Sequence, residues 1–198
     1  MSSFTKILHR IVSNPWVFNQ VQYLFGFKET CRRLAPYLAQ TDSQIILDVG
    51  AGTGNFAPFL PRSATYLWLD NDLKKLQGFR MRWPTGLAIL GDATRIGLKD
   101  KSVDYALCIG LTHHLTGIEL PLLFNELART IRQRLIFLDP VVHRESKISN
   151  LLWKYDRGKY PRSVHDLCSA IEPWFEIEQK ELYAIYHRYI LCIGKPRH

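Results

Sequence analysis

Three glycines at alternate positions follow an aspartate in Asp48-Val49-Gly50-Ala51-Gly52-Thr53-Gly54, directly after the apolar run Ile45-Ile46-Leu47. Residues without a Cβ let backbone approach a ligand where any side chain would collide. A strand, this turn and a helix over Asn55 to Leu60 would aim amide N–H groups and a positive helix end at an anionic group beyond the strand's carboxyl edge. The dinucleotide form of such a turn, G-x-G-x-x-G, is not met, because the sixth position from Gly50 is Asn55. Two later apolar runs also end in carboxylates. Asp70, followed by Asn71, closes Tyr66-Leu67-Trp68-Leu69 and offers a carboxylate that can accept two hydrogen bonds at that edge. Asp92, followed by Ala93, closes the run ending at Leu90-Gly91. Singly, either aspartate could be a helix cap or turn former.

These residues need elements to hold them at one edge. Short β-type runs at Gln44 to Val49, Thr65 to Leu69, Leu87 to Leu90, Val103 to Ile109 and Arg134 to Asp139 alternate with helical patterns at Asp72 to Met81 and Ile118 to Ile131. Several runs are apolar throughout, as strands buried on both faces must be. The alternation predicts an α/β fold, a Rossmann-like, mostly parallel sheet with helices on both faces. Helices near Glu145 to Tyr155 and Ser163 to Ile171 come next. The runs Trp174 to Lys180 and Leu182 to Ile193, joined by a short connection, predict an antiparallel pair at the C-terminal edge. Ahead of the first strand, Phe4, Ile7, Leu8, Ile11 and Val12 share a helical face, and Trp16 to Phe27 is rich in aromatics. The expected organisation is an N-terminal helical cap over 1–43 and the α/β domain over 44–198. The N-terminal face could also rest on a membrane surface.

The acidic-plus-three-glycine turn of residues 48–54 resembles the first motif of class I S-adenosylmethionine-dependent methyltransferases. The resemblance spans about residues 44–140. It implies S-adenosylmethionine as methyl donor and S-adenosylhomocysteine as product, with the cofactor held by Asp48, Gly50, Ala51, Gly52, Thr53 and Gly54. It further implies Asp70 and Asn71 at the ribose and Asp92 and Ala93 at the adenine. Residues 102–115, ending Ile109-Gly110-Leu111-Thr112-His113-His114-Leu115, are similar to the small-molecule branch of the family, which includes quinone methyltransferase relatives. Residues 109–114 would then flank the sulphonium, with Ile109 and Gly110 binding the cofactor. The Asn/Asp-Pro-Pro-aromatic loop of the family's amino-group methylators is absent here. The Pro-Gly-Gly that usually precedes the fifth strand is replaced by Arg132-Gln133-Arg134.

Removing a proton from a hydroxyl or acidic carbon calls for a base near neutral pH, and His113 and His114 are the candidates. The alternative for the pair is a packed or solvated cap on the following helix. Asp139, Arg157 and Lys159 are candidate acceptor-binding residues, Arg162 could assist them, and Tyr183, Tyr186, His187 and Tyr189 could line the same cavity. Asp139 could instead fix the turn at Pro140.

With 198 residues, 46% of them hydrophobic, the chain is long and apolar enough to bury a core. No apolar run approaches the roughly 18 residues of a spanning helix, and residues 1–27 lack a signal-peptide pattern. Cys31, Cys108, Cys168 and Cys192 form no C-x-x-C pair, which points away from a metal site or disulfide framework and towards the cytoplasm. The surplus of 26 basic over 18 acidic residues gives a net charge of +8, but no basic run dominates, so nucleic acid is disfavoured as a partner. The reading is methyl transfer to a small organic acceptor at a hydroxyl oxygen or acidic carbon. Its rivals are RNA methylation, a non-methylating S-adenosylmethionine-binding module or cyclase, and a nicotinamide oxidoreductase. Oligomeric state is not legible.

Overall fold

The computed structural model describes residues 15–143, 145–146, 149–150, 153 and 158–197, with side chains from residue 26 onward. The chain divides into two compact units, Met1–Pro36 and Tyr37–His198. Helix α1 (Pro15–Leu38) begins in the first. There Glu29 pairs with Arg32 and Arg33, each at 2.7 Å, and the hydrogen bond from Arg32 is the main reason its carboxyl is pulled down to about 2. The expected apolar face from Phe4 to Val12, and the side chains of residues 16–25, lie outside the described residues.

The second unit is built on a seven-stranded sheet, ordered β3-β2-β1-β4-β5-β7-β6. Strands β1 (Ile45–Val49), β2 (Thr65–Asp70), β3 (Leu87–Leu90), β4 (Val103–Ile109) and β5 (Ile131–Val141) run parallel, and β7 (Arg188–Pro196) pairs antiparallel with both β5 and β6 (Phe175–Ala184). The chain steps outward from β1 to β3, then returns to the other side of β1 with β4. That reversal opens a crevice beyond the carboxyl ends of β1 and β4, where open α/β sheets bind their ligands.

Helix α2 (Leu73–Arg82) is capped by Asp72, whose side chain accepts from the amides of Lys74 and Lys75. Helix α3 (Glu119–Thr130) buries Leu120, Leu123, Phe124 and Leu127 in one core with Leu47, Val49, Ala106, Leu135 and Phe137 from the sheet. Helix α4 (Val164–Ile171) starts on a capping box, Ser163 with Asp166. A smaller core joins Ala51, Trp68 and Phe79, with the Trp68 and Phe79 rings stacked 5.6 Å apart.

Three expectations need correction. No α-helix follows the glycine turn; residues 52–56 are turns and only Ala57–Phe59 forms a short 3-10 helix. Pro58 and Pro61 supply no N–H donors, so the i to i−4 ladder cannot build. The C-terminal hairpin turns at 185–187 rather than near residue 181, because β6 is a solvated edge strand whose polar run Glu178–Glu181 stays in the sheet. Strand β5 starts directly at Ile131 and runs through Pro140, which pairs with Tyr189. Of the helix expected from Glu145 to Tyr155, residues 149, 150 and 153 are helical; residues 147–148, 151–152 and 154–155 lie outside the described residues.

Candidate active site

A cavity of about 380 Å³ opens at the strand reversal. Its floor and walls come from the four strand ends: Gly50 after β1, Asp70 and Asn71 at β2, Gly91, Asp92 and Ala93 after β3, and Gly110, Leu111, His114 and Leu115 after β4. Gly50 takes φ +69, and a Cβ there would come within 2.9 Å of Leu111 Cδ1, so glycine lets the two loops close on each other. Gly54, at φ +74, would drive a Cβ to 2.6 Å from the Phe79 ring. It seats the turn on the small core.

The turn is tied back to the protein. Gly50 and Ala51 donate to Leu69 O at 2.8 and 3.1 Å, Gly54 donates to Ala51 O at 2.9 Å, and Gly52 donates to Asp70 Oδ2 at 2.9 Å. Trp68 Nε1 in turn donates to Gly52 O at 2.8 Å. The expectation that these amides and a helix end face an anion is therefore corrected: four of the amides serve protein acceptors, and the helix is absent. Of residues 50–54, Gly50 lines the cavity. Ala51, Gly52, Thr53 and Gly54 shape its turn without lining it, and Ile109 likewise stands just outside the lining.

Asp48 is also displaced from its expected role. It is 2% exposed, does not line the cavity, and accepts from the Tyr66 hydroxyl at 2.5 Å. Burial, aided by the charge of Asp70 and opposed by the Tyr66 bond, pushes its carboxyl up to about 7. Burial and the neighbouring Asp48 raise the Tyr66 phenol, so tyrosine is the donor.

Asp70 presents its carboxylate to the cavity, with Oδ2 bonded by Gly52 and Oδ1 by the Asp72 amide at 3.0 Å. Asp92 ties Oδ1 to the amide and hydroxyl of Thr94 at 2.8 and 2.9 Å, forming the turn that brings Ala93 to the wall. Leu111, within the 109–114 stretch expected at the sulphonium, lines the cavity, and Lys75, Leu115 and Glu119 line it unforeseen. Their periodic positions read as ordinary helix or loop surface.

Beside the cavity, the two histidines divide. His114 is exposed at the lining, whereas His113 is 7% exposed, with Nδ1 2.6 Å from Asp139 Oδ1. Asp139 Oδ2 accepts from the amide and hydroxyl of Thr112 at 2.7 and 2.8 Å. Asp139 is fully buried and so is not the acceptor-binding group expected of it. The Cε1 edge of His113 faces Gly110, 3.9 Å from where a Cβ would stand. Arg162 donates to the carbonyls of Thr112 and Leu115, and Tyr160 N–H donates to His113 O at 3.0 Å. Arg162 thus clamps the histidine loop and is not a free acceptor ligand. Lys159 is exposed, and Arg157 lies outside the described residues. His187 is buried against Ser149 Oγ at 3.0 Å and beside the Trp153 ring, while Tyr183 and Tyr189 stack on each other at 5.3 Å.

A cofactor of the expected kind fits this donor set. The volume lies within the roughly 300–1,000 Å³ usual for small-molecule sites. Apolar Ala93, Leu111 and Leu115 can flank a purine, and Asp70 and Asp92 offer carboxylate acceptors for sugar hydroxyls and an exocyclic amine. Fold and cavity thus define a Rossmann-like protein whose crevice, at the reversal of a parallel sheet, suits a nucleoside-type ligand.

Residues 47–138 match a protein family described as a methyltransferase domain. Among curated proteins no match is found. Solved structures with the same fold include an S-adenosylmethionine-dependent methyltransferase from Methanosarcina mazei, with a TM-score of 0.71 and 13% identity over 82% of this chain and 96% of that one. Magnesium protoporphyrin IX methyltransferase from Synechocystis, with S-adenosylhomocysteine bound, has a TM-score of 0.70 and 18% identity over 90% and 87% of the two chains. Geranyl diphosphate C-methyltransferase from Streptomyces coelicolor has a TM-score of 0.69 and 11% identity over 86% and 80%. Residues 47–138 thus carry a match to a methyltransferase domain, on a chain that shares its fold with S-adenosylmethionine-dependent methyltransferases of known structure.

Proposed function

We propose that the chain methylates a small organic acceptor at a hydroxyl oxygen or an acidic carbon, with His113 as general base and Asp139 as its positioning residue. S-adenosylmethionine supplies a methyl group already activated by its sulphonium. The protein's share is alignment, exclusion of water and removal of the acceptor's proton. In this reading Asp70 accepts from the ribose hydroxyls, Asp92 from the adenine amine, and Gly50, Asn71, Ala93 and Gly110 form the bed. The observation that carries the catalytic part is the 2.6 Å contact between Asp139 and His113 Nδ1. A carboxylate there holds the proton on Nδ1 and keeps the Nε2 lone pair as the basic one, while Thr112 fixes the carboxylate. Arg162 and Tyr160 hold the backbone of the loop at Thr112, His113 and Leu115. The small-acceptor reading is supported by two structural neighbours, which are named for a magnesium porphyrin and for geranyl diphosphate.

The test is label transfer from methyl-labelled S-adenosylmethionine to a panel of phenolic, enolic and carboxylate acceptors, with RNA as a comparison arm. The full chain should label at least one small acceptor and leave RNA unlabelled; label on RNA alone would sink the reading. His113→Asn should then lower kcat roughly 100-fold, within the usual contribution of a general base, with affinity for S-adenosylhomocysteine unchanged. His114→Asn should act mainly on KM. Full turnover in His113→Asn would remove the base assignment.

A further inference from the structure

Lys75 lines the cofactor cavity and turns its ammonium onto the carboxylate to which the ribose is assigned. Its Nζ lies 3.1 Å from Asp70 Oδ2 and 3.4 Å from Oδ1. Each carboxylate oxygen has room for about two hydrogen bonds. Oδ2 already accepts from the Gly52 amide and Oδ1 from the Asp72 amide, at 2.9 and 3.0 Å. Lys75 therefore takes the remaining acceptor position on both oxygens, the two positions that a vicinal diol needs.

We propose that Lys75 is an internal competitor for the ribose subsite, holding the Asp70 carboxylate in the free protein and yielding it to the two ribose hydroxyls when the cofactor binds. The inference rests on the reading that Asp70 receives the ribose. Three further features support it. Asp70 cannot be the partner that moves, since its side chain is 3% exposed and both oxygens are bonded by backbone amides, whereas that of Lys75 is 45% exposed and opens to solvent. Lys75 is also the third residue of α2, where the positive end of the helix disfavours a cation. Its attachment to Asp70 offsets that local conflict, and such conflicts are expected at functional positions. Finally, the hydroxyls of a ribose carry no charge, so exchange replaces an ion pair with two hydroxyl-to-carboxylate hydrogen bonds, and whatever the ion pair contributes is subtracted from cofactor affinity.

The consequence has a definite sign. Removing the ammonium should tighten binding of any ligand that carries the diol and leave a ligand without it unaffected. Half-exposed ion pairs of this kind correspond to roughly two- to fivefold in an equilibrium constant.

Calorimetric titration of the full chain with S-adenosylhomocysteine, and with its 2′,3′-dideoxy analogue, tests this in the wild type, Lys75→Met and Lys75→Gln. Both variants should bind S-adenosylhomocysteine about two- to fivefold more tightly, with the gain narrowing as salt is raised. The dideoxy analogue should bind all three proteins alike. Unchanged or weaker S-adenosylhomocysteine binding in both variants would overturn the proposal, the latter because it would make Lys75 a direct cofactor ligand. An equal gain for both probes would overturn it too, as a general charge effect. Asp70→Asn keeps the two readings apart: unchanged affinity there removes the ribose assignment itself, whereas a marked loss upholds it whatever the Lys75 variants do.

Discussion

Asp48 carries a cost that depends on pH. Burial holds its carboxyl at about 7, against 3.8 for the exposed group in an unfolded chain. Between those values the native state binds more protons than the unfolded one, so this group's contribution makes stability fall as pH rises from about 4 to 7. The penalty is absent below that window and complete above it, on the order of 4 kcal/mol. Asp48→Asn keeps an acceptor for Tyr66 and removes the charge. Urea denaturation should therefore find the variant equal to the wild type near pH 4 and more stable by a few kcal/mol near pH 8; a difference independent of pH would contradict the burial argument. The aspartate was legible in the sequence and its role was not, because the pattern that marks the turn says nothing of which way a strand residue faces. Asp70, Asp92 and the glycines were legible as strand-end features, where chain direction alone delivers them to one edge. The Asp139–His113 contact spans 26 residues and the Lys75–Asp70 contact joins a helix to a strand, so no local spacing announced either.

At the scale of elements, helix α2 sets two cavity residues, Asp72 and Lys75, and it begins on one cap. Asp72 Oδ1 accepts from Lys74 N at 2.8 Å and Lys75 N at 3.4 Å, and its own amide donates to Asp70. Asp72→Ala should cost about 1 kcal/mol of stability, the usual loss for an N-cap, and should also weaken S-adenosylhomocysteine binding, because the start of α2 frays beside the subsite. Chemical denaturation and calorimetry read the two effects separately. A stability loss with binding intact would mean that the helix start does not order Asp70. Elements whose apolar residues follow a clean period, β1 to β4 and helices α2 to α4, lay where the sequence put them to within a few residues. Those that failed did so for local reasons. Pro58 and Pro61 stop a helix that the glycine turn alone would invite, and β6, exposed along most of its length, has polar residues that read as a turn.

For the whole molecule, the fold leaves one crevice position that the glycine turn, two carboxylates and the histidine loop share, and occupancy of that position should stabilise the unit that contains all of them. The alternation of strands and helices made the parallel sheet legible from the sequence, because burial on both faces leaves an apolar signature in every central strand. The N-terminal segment carried no comparable signature: its aromatics favour a cap but also suit a membrane-facing helix, and no described helix is long and apolar enough to cross a membrane. Ligand linkage reads the sheet unit directly. S-adenosylhomocysteine at a hundred times its Kd should add about 2.7 kcal/mol to the stability of residues 37–198, and at roughly 2–4 °C per kcal/mol for a chain of this size the Tm should rise by about 5–11 °C. Asp70→Ala should lose most of that rise at the same ligand concentration, and NADH should produce none, since the turn lacks the dinucleotide spacing. A scan in which NADH shifts Tm as far as S-adenosylhomocysteine would return the cavity to the nicotinamide class, because linkage measures differential affinity for the native state and is blind to how the ligand was chosen.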